Sequence, residues 1–273
     1  DREAVRHHYD VSNAFYRIVL GPTMVYSCAY FDSPDEDLDA AQEGKLDLIC
    51  RKLRLGPDDR LLDVGCGWGS LVLHAAERYG ARAVGITLSE PQAELARERI
   101  GAAGLADRCE IRVADYREVS DGPYDKIASV GMVEHVGADK LGEYAESLRR
   151  LLRPGGLLLN HGITRVSPRP WDRKSFIASF VFPDGELESA ATVIGALERA
   201  GLELRHVESL REHYALTLRR WLENLAAGRE HAIAEGGPER ERIWRLYMTG
   251  AAQGFERGDL SVHQVLAAAP AAP

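Results

Sequence analysis

From residue 57 to 165, short apolar runs alternate with segments whose apolar positions recur at helical spacing. "RLLDVGC" (60–66) is a short apolar run ending in glycine and reads as a buried strand. "WGSLVLHAAERYG" follows as a helix, with Gly80 suited to its C-terminal cap. "ARAVGIT" (81–87) predicts a second strand, and "SEPQAELARERIGAAG" a second helix. Ser89 and Gln92 suit a capping box there, and Pro91 sits in the first turn, where its missing N–H costs nothing. "CEIRVADY" (109–116), "YDKIASVGMVEHV" (124–136) and "LLLNHGI" (157–163) predict three more strands. "DKLGEYAESLRRLLRPGG" predicts a helix closed by Pro-Gly-Gly. Strands alternating with helices imply an α/β fold with a parallel, doubly wound sheet.

In such sheets ligands bind beyond the carboxyl ends of the strands. That selects Gly65–Gly69, Thr87–Leu88, Asp115–Tyr116, Glu134–His135 and His161–Gly162 as the rim of one crevice. Two regions stand outside this core. Residues 1–50 look helical and aromatic, an N-terminal cap. Residues 165–258 look mainly helical, with "HYALTLRRWLENLA" (213–226) and "ERERIWRLYMTGAAQGFERG" (239–258) as helices. "LELRHVES" and "LSVHQVLAA" read as late strands closing the sheet. No repeat or linker interrupts the chain, so 1–273 is expected to be a single domain.

Composition changes this picture little, with 45% hydrophobic and 28% charged residues over a length that can bury a large core. A net charge of -8 argues against a general nucleic-acid binder, which needs a basic footprint. The four cysteines, at 28, 50, 66 and 109, make no CxxC pair and no zinc spacing, so no metal is expected. At this length they read as reduced thiols of a cytoplasmic protein. No apolar run reaches membrane-span length.

The loop "DVGCGWG" (63–69) places three glycines in five positions between a strand and a helix. Glycines there let a ligand approach the backbone closely. The spacing is not the G-x-G-x-x-G of dinucleotide sites, and Thr87 stands where a ribose carboxylate is expected. D-x-G-x-G-x-G resembles motif I of S-adenosylmethionine-dependent (class I) methyltransferases. "ADY" after the third strand adds to it, since those enzymes commonly place an acidic residue there beside the adenine.

Further segments narrow the resemblance: "HHYDVSNAFYRIVLGPTMVYSCAYF" (7–31), "KLDLICRKL" (45–53), "LLDVGCGWGSL" (61–71), "VGITLSEPQ" (84–92), "VGMVEHVG" (130–137), "LLLNHGI", "FVFPDGEL" (180–187), "HYALTLRRW" (213–221) and "HQVLAA" (263–268). Together they resemble the cyclopropane-fatty-acyl-phospholipid synthases and mycolic acid cyclopropane synthases over nearly the whole chain. The resemblance implies a class I methyltransferase sheet, Rossmann-like, with N-terminal helices and a helical insertion forming a lipid site. It implies methyl transfer to the cis double bond of an unsaturated acyl chain, through a carbocation deprotonated by bound bicarbonate. It assigns the anion to Cys28 (through its main chain), Glu134, His161, Ile163 and Tyr214, with His135 in a supporting role. It assigns S-adenosylmethionine to Tyr26, Ser27, Gly65, Gly67, Thr87, Leu88, Gln92, Asp115, Tyr116 and Arg117. At the adenine corner the mycolic enzymes tend to show Gly-Trp-Glu, where this chain has Asp-Tyr-Arg.

The expected partners are unsaturated phospholipid acyl chains at a membrane surface, with the protein on the inner face. Between Arg149 and Phe182 lie seven basic residues (Arg149, Arg150, Arg153, Arg165, Arg169, Arg173, Lys174) against Asp172 alone, with Trp171 beside "FIASFVF". Such a run suits either an anionic bilayer or a solvated basic face. The product is a cyclopropane or an exocyclic methylene; the latter branch leads to methyl-branched acids through a reductase partner, and "FVFPDGEL" leans towards it. A homo-oligomer is compatible with all of this. Two other readings stay open: an N- or C-methyltransferase of a small acceptor, since alkaloid N-methyltransferases resemble this family, and a cofactor-binding subunit without catalysis.

Overall fold

The structure, a computed structural model, describes residues 12–166, 176–182 and 185–271, the side chain of Ala178 excepted. His7, His8, Tyr9, Arg169, Trp171, Asp172, Arg173, Lys174, Pro183 and Asp184, used in the sequence reading, lie outside the described residues. Seven strands form one sheet in the order β3-β2-β1-β4-β5-β7-β6. They are β1 (Arg60–Val64), β2 (Arg82–Thr87), β3 (Cys109–Val113), β4 (Tyr124–Val130), β5 (Leu152–Arg165), β6 (Glu203–Ser209) and β7 (Leu260–Ala268). The first five pair in parallel, as the alternating pattern requires. β7, one of the late strands closing the sheet, runs antiparallel to both β5 and β6. It enters directly from a long helix through the tight turn at Gly258, with no crossover to reverse its direction.

The helices are α1 (Asn13–Leu20), α2 (Leu38–Lys52), α3 (Ser70–Tyr79), α4 (Glu90–Ala102), α5 (Leu141–Leu151), α6 (Phe176–Phe180), α7 (Ala190–Arg199), α8 (Arg211–Ala227) and α9 (Arg229–Arg257). Local chemistry sets their ends. Gly80 closes α3 in the left-handed region, φ 68°, as the sequence suggests. At α4 only half of the expected capping box forms. Ser89 Oγ accepts from the Gln92 N–H at 3.4 Å, but Gln92 Oε1 accepts from the Thr87 hydroxyl at 2.7 Å. A complete box stands instead at Asp115 and Glu118, around a short 3-10 turn.

Three boundaries differ from the sequence reading. β3 stops at Val113 and β4 at Val130, so Tyr116 and Glu134 lie on 3-10 turns beyond the strands. β5 begins at Leu152, so the Pro-Gly-Gly of 154–156 lies within the strand rather than closing a helix. α9 is two helices joined across a kink at Gly237, φ 82°, before Pro238, and the second begins where the sequence predicts, at about Glu239. A proline cannot donate to the helix ladder, and the glycine absorbs the bend.

The N-terminal helices and the late helices pack on each other. Phe15, Tyr16, Trp221, Trp244 and Phe255 share one buried cluster with Cys28, with Trp68 from the β1 loop and with Val262 of β7. This aromatic cluster covers the loop at the carboxyl end of β1, where the rim residues converge.

Candidate active site

The glycine loop opens one wall of a crevice. Gly65 (φ 80°), Gly67 (φ 53°) and Gly69 (φ 77°) all take positive φ. A methyl on Gly65 would stand 2.5 Å from the Met132 side chain, while the space beside Gly67 is open. The crevice is lined by Tyr26, Ser27, Gly65, Gly67, Thr87, Leu88, Gln92, Asp115, Tyr116 and Arg117, together with Lys45, Asp63 and His135. Asp63 Oδ1 is buried without a hydrogen-bond partner. Lys45, 2% exposed, donates from Nζ to Ser27 Oγ at 2.8 Å. Burial pushes the Asp63 carboxyl up to about 7 and the Lys45 ammonium down to about 8, each opposed by the other's charge. At the far corner the Asp115 carboxylate already accepts from Arg117, at 2.8 Å from Nε and 2.7 Å from Nη2.

A second cavity adjoins the first. Glu134, Ile163, Ile177, Phe182, Leu187, Tyr214, Leu218, Tyr247, Ala251 and Phe255 line it, and it shares Tyr26, Gly131 and His135 with the crevice. Its walls are apolar and aromatic. The Tyr214 ring lies 4.7 Å from Phe255, and Phe182 lies 5.6 Å from Tyr247. Tyr26 and Tyr247 hydrogen-bond through their side chains. Against this lining stands one carboxyl. Glu134 Oε1 accepts from the Ile163 N–H at 2.8 Å, while Oε2 is buried with no partner. Burial pushes this carboxyl up to about 7. His161, two residues before Ile163, is also buried, and its Nε2 is likewise unpartnered. Burial holds its ring well below the ordinary histidine value, so it is neutral. Gly162 between them permits the approach, since a Cβ there would fall 2.2 Å from Val133 Cγ1 and 3.6 Å from Glu134 Oε2.

Residues 1–265 match the family model "Mycolic acid cyclopropane synthetase". The chain belongs to the mycolic acid cyclopropane synthetase family. A "Probable fatty acid methyltransferase" of Pseudomonas putida is 50% identical over 276 residues, covering 99% of this chain and 70% of that protein. A second protein of that description, from Mycobacterium tuberculosis, is 46% identical over 98% of this chain and 62% of its own length, so this chain spans less than two thirds of it. The structure of the mycolic acid cyclopropane synthase CmaA1 complexed with SAH and CTAB superposes with a TM-score of 0.92 at 35% identity, covering 98% of both chains. The sheet with its flanking helices is therefore the fold of S-adenosylmethionine-dependent methyltransferases.

The family's cofactor fits the crevice. A buried, unpartnered Asp63 oxygen is an acceptor for the ammonium of its methionine part, and open space at Gly67 admits the molecule against the backbone. The lining of the second cavity matches the anion site that the resemblance implies only in part. Glu134, Ile163 and Tyr214 line that cavity, whereas His161, two residues before Ile163 on β5, lines neither cavity. Cys28 lines neither cavity. Its thiol is fully buried, donating to Ala29 O at 3.2 Å and Leu210 O at 3.6 Å, and burial pushes its pKa up. A thiol so placed is no nucleophile. Sequence reasoning passed over Lys45 and Tyr247, since each sits on a helix with ordinary helical spacing. His135, read as a support, lies on the wall shared by both cavities.

Of the basic run between 149 and 182, the structure describes Arg149, Arg150, Arg153 and Arg165. Arg149 and Arg150 stand in the last turn of α5, Arg153 near the start of β5 and Arg165 at its end, about 40 Å from Arg153 at strand rise. Arg153 is engaged by Asp125 there.

Proposed function

We propose that the protein transfers a one-carbon unit from S-adenosylmethionine to the cis double bond of an unsaturated phospholipid acyl chain. The observation that carries this reading is an apolar, aromatic cavity adjoining the cofactor crevice and holding the half-partnered Glu134 on its wall, with the buried His161, its Nε2 unpartnered, on the same strand as the Ile163 that binds Glu134. S-adenosylmethionine supplies an electrophilic methyl group, and the glycine loop, Asp63 and Ser27 hold it. Tyr26, Gly131 and His135 bound the passage between the cavities. Methyl attachment to one alkene carbon leaves a positive charge on its neighbour. The faces of Tyr26, Tyr214, Phe182, Phe255 and Tyr247 lower the energy of that cation and exclude water from it.

A methyl proton must then leave. Its loss closes a cyclopropane; loss after a hydride shift gives an exocyclic methylene. Glu134 and His161 would hold bicarbonate, which would supply the base. The acyl chain enters past α6, where Phe176 (38% exposed) and Phe180 (60% exposed) lie side by side while Ile177 lines the cavity. Exposed rings of this kind suit a bilayer interface.

The test is incubation with S-adenosylmethionine and cis-monounsaturated phospholipid vesicles, with and without bicarbonate, followed by proton NMR of the released fatty acids. Cyclopropane or methylene protons that require bicarbonate are expected. Absence of any lipid product, with the cofactor bound, would overturn the reading in favour of a small amine or carbon acceptor.

A further inference from the structure

Three strands place a row of polar residues across the sheet. On β7, Gln264 is the register partner of His161 on β5 and of Glu208 on β6. Gln264 is fully buried. Its Oε1 accepts from Lys52 Nζ at 2.6 Å, and its Nε2 lies 3.1 Å from His161 Nδ1. Lys52, the last residue of α2, is itself paired with the Glu208 carboxylate.

The donor count fixes every orientation in this row. An ammonium only donates, so the oxygen of the Gln264 amide must face Lys52. Its NH2 group then faces His161, and an NH2 group only donates. His161 Nδ1 must accept, so a neutral ring carries its proton on Nε2. That nitrogen is the buried atom without a partner, next to the segment that holds Glu134.

We propose that Lys52 and Gln264 are positioning residues that lock His161 in its Nε2–H form and so present a hydrogen-bond donor to the anion in the acceptor cavity. The assignment of an anion there rests on the proposed function; the locked proton position does not. The row extends from the partly exposed Glu208 to the buried His161 ring, with each group polarising the next. Lys52 adds a second effect: its positive charge disfavours a second proton on the ring.

The experiment uses the full chain labelled with 15N-histidine. Long-range 1H–15N spectra report which ring nitrogen of His161 carries the proton, its signals being assigned by their loss in His161→Gln. The wild-type ring is expected as the Nε2–H form. Gln264→Glu replaces the donor at Nδ1 with an acceptor and is expected to move the proton to Nδ1. Lys52→Met frees the amide to turn over and is expected to give a mixture of the two forms. In turnover, Gln264→Glu should raise the KM for bicarbonate by about tenfold or more, the size of a lost hydrogen bond to an anion, with the KM for S-adenosylmethionine changed less than about twofold.

A wild-type ring protonated at Nδ1 overturns the proposal without reference to any variant. A Gln264→Glu protein that melts cooperatively yet keeps the Nε2–H form overturns it as well. An Nε2–H ring in an enzyme that makes lipid product without bicarbonate would leave the positioning row standing and sink the anion assignment alone.

Discussion

Glu134 is one carboxyl with two different oxygens, one tied to the Ile163 N–H and the other bare. Its raised value means that the folded state holds the proton more tightly than the unfolded chain. Its contribution to stability is therefore complete below its ordinary value near 4.5 and is lost as pH rises through about 7. Glu134→Gln removes the titration while keeping the acceptor for Ile163. The variant should gain melting temperature relative to the wild type on going from pH 5 to pH 8, by as much as about 3 kcal/mol in stability. Parallel pH-dependent melts check this; a constant difference across that range would refute it. At Cys28 the side chain serves packing, so Cys28→Ala should keep turnover within about threefold and lower stability by roughly 1–2 kcal/mol, as read by steady-state rates and denaturant titration. Glu134 and His161 were legible in the sequence because each follows an apolar strand run. The Lys52–Gln264 bond was not, since it joins residues 212 apart whose pairing only the finished sheet decides. Lys45 was illegible for a related reason: on α2 it looks solvent-facing until Ser27 and the β1 loop close over it.

At the scale of elements, the short helix α6 has two jobs. Ile177 turns into the acceptor cavity while Phe176 and Phe180 face out. Phe180→Asp should leave cofactor affinity unchanged and reduce co-sedimentation with anionic vesicles by about fivefold or more, the equivalent of roughly 1 kcal/mol or more of lost interfacial burial. Equal sedimentation of variant and wild type would remove α6 from the membrane reading. The β1 loop behaves oppositely, as a rigid part. Gly65→Ala would need positive φ and would drive a methyl into Met132. The backbone alone costs about 1–2 kcal/mol, and cofactor binding measured by calorimetry should fall by at least about tenfold. The glycine loop was readable from a seven-residue window because its cause is local. The direction of β7 was not, because it depends on where α9 delivers the chain.

Across the whole molecule, the sheet separates tasks by distance. The rim at the carboxyl ends holds the two cavities, and the opposite end carries structural pairs such as Arg153 with Asp125 and Arg60 with Asp121. All four cysteines are free and buried, and burial raises each thiol above its ordinary value. The folded protein should therefore resist iodoacetamide at neutral pH, and the guanidine-unfolded chain should take up four labels by mass spectrometry. Rapid labelling of the folded protein would show that the aromatic cluster around Cys28 opens readily. Among the described residues no helix is long and apolar enough to cross a membrane.

The wall shared by the two cavities has a pharmacological corollary. Tyr26 and His135 flank Gly131, and the space beside Gly131 is open. A nucleoside joined to an aliphatic tail by a thin linker at that gap would occupy both chambers at once. Such a hybrid loses the rotational and translational freedom of association only once, so its affinity should exceed that of either half by orders of magnitude.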